Sequence, residues 1–259
     1  MKPAIVLLHS SMSSKAQWAA LVEQLTPDFR CIPLDLLGYG AAPYPPGAGQ
    51  GEAYTHTLAH EADAIADAIA AQLAPDEAFH LVGHSFGGVS ALHLARRMPE
   101  RVRTLTLFEP VAFHLLPEQD TARVQIVTVV GDIMASATDR DATRIFIDYW
   151  NRPGSFDAAP ASAQDKMIAQ IAKVKLDFQA LLGEPVALGD LAVLTMPALV
   201  LSGQHSPAST RSLAAQLAAA LPNARALQTR GGHMGPITHG DAINPTIAAF
   251  LRGEDLTRG

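Results

Sequence analysis

The chain carries a single cysteine, Cys31, in 259 residues. That excludes an intrachain disulfide framework and a paired-cysteine metal or redox site. Charge is sparse too: Asp, Glu, Lys and Arg make up 17%, and 19 basic against 25 acidic residues leave a net charge of −6. Nucleic-acid binding needs clustered Lys and Arg to neutralise phosphate. Here the basic residues stand singly or in pairs such as Arg96-Arg97, so no nucleic-acid partner is expected. No apolar run approaches the ~20 residues of a membrane span. The opening run over Ala4–Leu8 is also shorter than the roughly 7–15 residues of a secretory signal core. The expectation is a cytoplasmic protein with no membrane partner. What the chain does have is apolar content: 48% of its residues are hydrophobic, enough for a sizeable core and too much for a disordered chain. The length suits one large domain, or one domain with an inserted lobe.

Six short apolar runs read as strands, over residues 4–8, 31–34, 79–82, 104–108, 198–201 and 226–229. Continuous apolarity at this length is what burial on both faces of a parallel sheet demands. Helical periods lie between most of them. Leu58, Ala62, Ile65, Ile69 and Leu73 recur at three- and four-residue steps, with Glu61, Asp63 and Asp67 assigned to the opposite side. Leu213, Leu217 and Leu221 repeat the pattern before Pro222 stops it. Alternating strands and helices predict a mostly parallel six-stranded sheet with helices on both faces.

Residues 111–193 break the alternation. Val127, Val130 and Met134 are expected on one helix face, with Ile126 and Ile133 beside them. Further helical groups contain Ile145, Phe146, Tyr149 and Trp150, then Ile168, Ile171 and Val174, separated by Arg152-Pro153-Gly154 and Gly183-Glu184-Pro185. The stretch reads as an inserted helical lobe. The Pro- and Gly-rich segment over 43–51 is the only compositionally biased one.

The strongest chemical motif is Gly83-His84-Ser85-Phe86-Gly87-Gly88, between a predicted strand and an apolar helix. A serine flanked by glycines at such a turn is lifted above the sheet edge, and the following helix aims its amides and positive dipole end there. Ser85 is therefore the candidate nucleophile. It needs a base, and His233 in Gly231-Gly232-His233-Met234-Gly235 follows the last predicted strand. The backbone N–H groups of Phe86 and Ser11 are the candidate oxyanion donors. His9 and His84 flank this site and are read as packing and hydrogen-bonding groups. His56 and His60 have helical metal-ligand spacing but no third ligand near them in sequence, so no metal is expected.

With these motifs in order, the chain resembles the α/β-hydrolase superfamily. Leu7-Leu8-His9-Ser10 through Trp18 resembles its Leu-Leu-His-Gly opening, and Asp35-Leu36-Leu37-Gly38-Tyr39-Gly40 its Asp-x-x-Gly-x-Gly turn. Residues 83–88 match its nucleophile elbow, Pro99-Glu100-Arg101-Val102 its lead into the next strand, and Gly232-His233 its histidine loop. The resemblance implies a core over residues 1–110 and 194–259 and a helical cap over 111–193.

Two departures bear on chemistry. Ser10 stands where the family has a glycine, which puts a β-carbon in the oxyanion loop. Ser206, in Gly203-Gln204-His205-Ser206-Pro207, stands where the family usually has its acid. Glu109 lies in the loop directly after the fourth predicted strand, a position from which some branches of the family take their acid, and it is assigned that role here. A dyad oriented by Ser206 or water is the alternative, and Asp35 is expected to fix its own turn.

A serine at the elbow disfavours the family's carboxylate-nucleophile reactions and leaves acyl transfer to water. The expectation is a cofactor-free serine hydrolase acting on a small hydrophobic carboxylic ester or lactone. Met12, Phe113, Trp150 and Met234 are its candidate substrate contacts, and a homodimer is compatible with the sequence. Carbon–carbon bond hydrolysis of a diketone-like substrate and a weakly catalytic ligand-binding protein are the competing readings.

Overall fold

The computed structural model describes residues 2–48 and 54–256, so residues 49–51 of the Pro- and Gly-rich segment lie outside the described residues. The chain opens with β1 (Ala4–Leu8), α1 (Ala19–Leu25) and β2 (Arg30–Leu34). Next come α2 (Leu58–Ala70), β3 (Phe79–His84), α3 (Phe86–Arg97) and β4 (Val102–Phe108). All six strands form one sheet in the order β2-β1-β3-β4-β5-β6, with β5 at Ala198–Gly203 and β6 at Ala224–Thr229. Every pairing is parallel.

The pleat divides the core. Along β1, Ala4, Val6 and Leu8 face one apolar cluster, while Ile5 and Leu7 face another that contains Trp18, Leu21 and Leu25. Successive side chains alternate between the two faces of a strand, so a run buried on both sides must be apolar throughout. The edge strands β2 and β6 are less buried and tolerate Arg30, Arg225 and Gln228. Cys31 is half-buried on β2, against the second cluster.

Five helices lie between β4 and β5: α4 (Thr121–Ala135), α5 (Asp139–Trp150), α6 (Ser155–Ala158), α7 (Ala161–Ile168) and α8 (Ile171–Leu182). They form the cap. After β5 come α9 (Ala208–Ala220), then β6, α10 (Gly235–Thr238) and α11 (Gly240–Arg252). Among the described residues, no helix is long and apolar enough to cross a membrane.

Three helical expectations change. The buried face of α4 is Ala122, Ile126, Val130 and Ile133, whereas Val127 and Met134 are exposed. That helix is apolar nearly all round, so its pattern alone does not say which stripe meets the sheet domain. Ile168 and Ile171 belong to separate helices, α7 and α8. Glu61 does not face solvent with Asp63 and Asp67; it is fully buried beside Ala62 and Ile65, because buried cationic and neutral donors meet it there.

Candidate active site

The strand order 2-1-3 makes the chain leave β1 in one direction and enter β3 on its other side. Ligands in open parallel sheets bind beyond the carboxyl ends of strands at such a reversal. Ser85 follows β3 directly, with φ 56° and ψ −120°. A non-glycine residue in that region is strained by ~1–3 kcal/mol and persists only where its surroundings hold it. The two flanking glycines are what make the turn possible. A β-carbon on Gly83 would lie 2.4 Å from the Gly87 carbonyl oxygen, and one on Gly87 would lie 2.3 Å from the His9 carbonyl oxygen. The Ser85 N–H bonds the Phe108 carbonyl at 3.0 Å, which ties the elbow to the end of β4.

Ser85, His233 and Glu109 come together although they lie far apart in the chain. His233 Nε2 is 2.9 Å from Ser85 Oγ, and His233 Nδ1 is 2.7 Å from Glu109 Oε2. The remaining carboxylate oxygen, Oε1, accepts the Gly203 N–H at 2.7 Å. Glu109 therefore bridges the imidazole and the end of β5. It too has a positive φ, 43°, and its own N–H bonds the Leu201 carbonyl at 2.9 Å. Ser206 makes no hydrogen bond to His233: its buried Oγ has no hydrogen-bond partner among the described residues. Asp35 holds its own turn, accepting the Lys15 and Ala41 N–H groups at 2.7 and 3.0 Å. Against the upward push of burial, these bonds keep its carboxyl below the usual range.

The other histidines support the loops. His84 Nε2–H donates to the His233 carbonyl at 2.8 Å, and burial, with His233 beside it, holds its imidazole well below the ordinary value and neutral. His9 Nδ1–H donates to the Ser10 carbonyl at 2.7 Å, and its Nε2 accepts the Leu36 N–H at 3.0 Å. With both nitrogens so committed, His9 is neutral, and its 3.9 Å approach to Asp35 is not an ion pair. Burial lowers its pKa in the same sense.

Phe86 opens α3, so its N–H has no acceptor within the helix and lies at the positive end of the helix dipole. In the loop after β1, Ser10 uses its N–H and hydroxyl to grip Gln17 Oε1, at 3.1 and 3.0 Å. The left-handed residue of that loop is Met12, φ 57°. The β-carbon on Ser10 therefore does not occupy the strained position. Met12, Ser85 and Glu109 are the only non-glycine residues with positive φ among the described ones, and all three belong to this site.

An apolar cavity of about 310 Å³ opens above Ser85 and His233, lined by Met12, Phe146, Ile147, Trp150, Met167 and Met234. The Trp150 ring stacks on the His233 imidazole with centroids 4.1 Å apart. Met12, Trp150 and Met234 thus reach the cavity as expected. Phe113 does not: one short turn past β4, it is fully buried in the core between the sheet and the cap. Ile147 and Met167 also line it without a distinct signal in the sequence, whereas Phe146 and Trp150 at i and i+4 mark one face of α5.

A buried polar network, absent from the sequence-based expectations, adjoins the oxyanion loop. Asp177 on α8 accepts the Ser11 and Tyr39 hydroxyls, each at 2.6 Å, on Oδ2. Lys173, one turn earlier, donates to Asp177 Oδ1 and, at 2.9 Å, to Glu61 Oε1. Glu61 also meets His56 Nε2 at 2.8 Å. Burial alone would lower the Lys173 pKa, but the Asp177 and Glu61 carboxylates raise it, so the ammonium stays charged. Burial raises the Asp177 carboxyl despite Lys173. Donor atoms of His56, Glu61 and Asp177 lie within 4.8 Å of one another, the spacing of a cation site, and the Lys173 ammonium binds both of their carboxylates. His60 is turned to its own helix end, where Nδ1 accepts the Thr57 N–H at 3.2 Å. A signal for the network was legible: Lys173 and Asp177 fall on the same face as Val174, Phe178 and Leu181, which charged surface residues rarely do.

Comparison with known proteins bears on the family and the fold. The family model described as alpha/beta hydrolase fold matches residues 3–240. The chain is 38% identical over 103 residues to the pimeloyl-[acyl-carrier protein] methyl ester esterase of Vibrio campbellii, covering 40% of this chain and 35% of that protein. It is 33% identical over 114 residues to the probable lysophospholipase BODYGUARD 1 of Arabidopsis thaliana, covering 41% and 22%. The matched stretch thus spans about a third or less of either relative. The crystal structure of the enol-lactonase from Burkholderia xenovorans LB400 superposes with a TM-score of 0.75 at 20% identity, over 97% of this chain and 92% of that one. A match across nearly the whole sequence, together with an all-parallel sheet, an elbow after β3 and a cap between β4 and β5, identifies the chain as a member of the α/β-hydrolase fold family.

Proposed function

We propose that the protein is a serine hydrolase that cleaves a small hydrophobic carboxylic ester or lactone through an acyl-enzyme. The observation that carries this reading is the unbroken hydrogen-bonded chain Ser85–His233–Glu109 at the floor of an apolar cavity. Ser85 Oγ attacks the substrate carbonyl while His233 Nε2 takes its proton. Glu109 holds the Nδ1–H tautomer and balances the charge that appears on the imidazole. The carbonyl oxygen, now negative, is held by the N–H groups of Phe86 and Ser11. The tetrahedral adduct collapses, the C–O bond breaks, and His233 returns the proton to the departing alkoxide. Water then attacks the acyl-enzyme with His233 as base, and release of the carboxylic acid restores Ser85.

The substrate class follows from the lining. A cavity of about 310 Å³ sits at the small end of ligand pockets, and most of its surface is methionine, aromatic and aliphatic, with Asn151, Ser155 and Thr238 as polar points on the wall. No Lys or Arg lines this cavity, whereas Arg152 lines an adjoining open cavity of about 560 Å³ that shares Trp150, His233 and Met234 with it. The ester named for the Vibrio campbellii relative belongs to the same reaction class. Ser10 is engaged with Gln17, and Glu109 rather than Ser206 bonds the imidazole, which favours an enzyme over a ligand-binding protein.

The test uses p-nitrophenyl esters of two to ten acyl carbons and a fluorophosphonate label. The expected result is hydrolysis that peaks at short to medium chains, with covalent labelling abolished by Ser85→Ala. Absence of both turnover and labelling in the wild-type protein would overturn the reading.

A further inference from the structure

Both candidate oxyanion donors are gripped by one pair of residues from the cap. Ser11 donates its hydroxyl to Asp177 Oδ2 at 2.6 Å. Phe86 places its ring 4.9 Å from the Lys173 ammonium, over the ring face. Lys173 and Asp177 stand four residues apart on α8, bonded to each other and almost sealed from solvent. Tyr39 completes the arrangement: its hydroxyl donates to the same Asp177 oxygen as Ser11, and its ring faces Lys173 at 4.9 Å. A cavity of about 20 Å³ separates this cluster from the nucleophile, with Ser85, Ser11, Phe86 and Asp177 all on its wall.

We propose that Lys173 and Asp177 are positioning residues of the oxyanion hole, and that they complete it only while α8 is seated on the sheet domain. The inference rests on the serine-hydrolase reading and on Ser11 and Phe86 as the donors. Three physical points carry it. The Ser11 N–H lies one residue from the left-handed Met12, in a loop that must be held in place for the amide to stay aimed. A hydrogen bond to a carboxylate is about twice as strong as a neutral one, so Asp177 holds Ser11 more firmly than an amide would. A bare buried carboxylate this near a developing oxyanion would oppose it, and Lys173 cancels that field while its charge also rests on the Phe86 ring. Asp177 touches no reacting atom; it acts through Ser11.

The test compares Ser11→Ala, which keeps the backbone N–H and loses only the hydroxyl, with Asp177→Asn and with the double variant. Readouts are kcat and KM on a p-nitrophenyl ester, affinity for a trifluoromethyl ketone whose hemiketal oxygen fills the oxyanion hole, and the melting temperature. The expected result for each single variant is a kcat about 10–100-fold lower, KM within about twofold, and ketone affinity reduced in step with kcat. The double variant should be no slower than the slower single variant, because both changes cut the same connection. Near-normal kcat in Ser11→Ala, or losses that multiply in the double variant, would overturn the inference. In that case continued fluorophosphonate labelling of wild-type Ser85 leaves the hydrolase reading standing, whereas an unlabelled wild type overturns both. Should Asp177→Asn melt early, Ser11→Ala alone still decides, since that residue sits on a partly exposed loop.

Discussion

Glu109 commits both carboxylate oxygens, one to the His233 imidazole and one to the Gly203 amide. Glu109→Gln keeps the shape and removes the charge. An amide at this place can present its NH₂ to the imidazole and favour the wrong tautomer, so the fold should persist while kcat falls about 10⁴-fold. Steady-state kinetics beside an unchanged circular dichroism spectrum checks this, and near-normal turnover would remove Glu109 from the mechanism. At this scale much was legible in the sequence. Ser85 and His233 stand out because glycines frame them, and Glu109 because it directly follows a strand in a short Phe-Glu-Pro step. Asp177 was not legible in the same way. An i,i+4 Lys–Asp pair is the ordinary mark of a solvated helix face, and the one contrary signal in the sequence is that this pair shares its face with Val174, Phe178 and Leu181.

Among the elements, the elbow is the least forgiving. Gly87→Ala places a methyl group against the backbone carbonyls of Leu8 and His9, neither of which moves without displacing β1 and the oxyanion loop. The expected outcome is a loss on the order of 3 kcal/mol in urea unfolding, together with loss of the proposed hydrolytic activity even at permissive temperature. A variant that folds and turns over normally would show that α3 and β1 are less tightly apposed than described. The strands were readable because burial on both faces leaves little choice of residue, as the alternation of Ala4, Ile5, Val6, Leu7 and Leu8 between two clusters shows. The cap helices were readable as helices but not as faces. In α4 the apolar residues Val124, Ile126, Val127, Val129, Val130, Ile133 and Met134 surround the axis, so period alone could not choose the buried stripe.

For the molecule as a whole, stability should depend on pH through histidines buried as neutral groups. Burial first, then neighbouring arginines, holds His80 and His93 at about 4 and His114 at about 3. An unfolded histidine titrates near 6.5. Between these values the unfolded chain binds more protons than the folded one, so stability is complete above about pH 6.5 and declines as pH falls toward about 4. Urea midpoints measured from pH 7.5 down to 5 should fall steadily, and a flat profile would contradict the burial of these imidazoles. The sheet order and the site at its reversal follow from topology that the motif order already implied. The tie between cap and oxyanion loop does not, since it joins Ser11 to Asp177 across 166 residues.

The chain has only two tryptophans, and they occupy opposite surroundings. Trp18 is sealed against Ile5 and Leu7 beneath the sheet, whereas Trp150 stacks on the His233 imidazole. When His233 gains a proton, a cation comes to rest on the indole face, a contact that quenches ultraviolet emission. Under the proposed mechanism Trp150 would act as an unlabelled optical reporter of proton transfer, with Trp18 as the constant background in stopped-flow fluorescence.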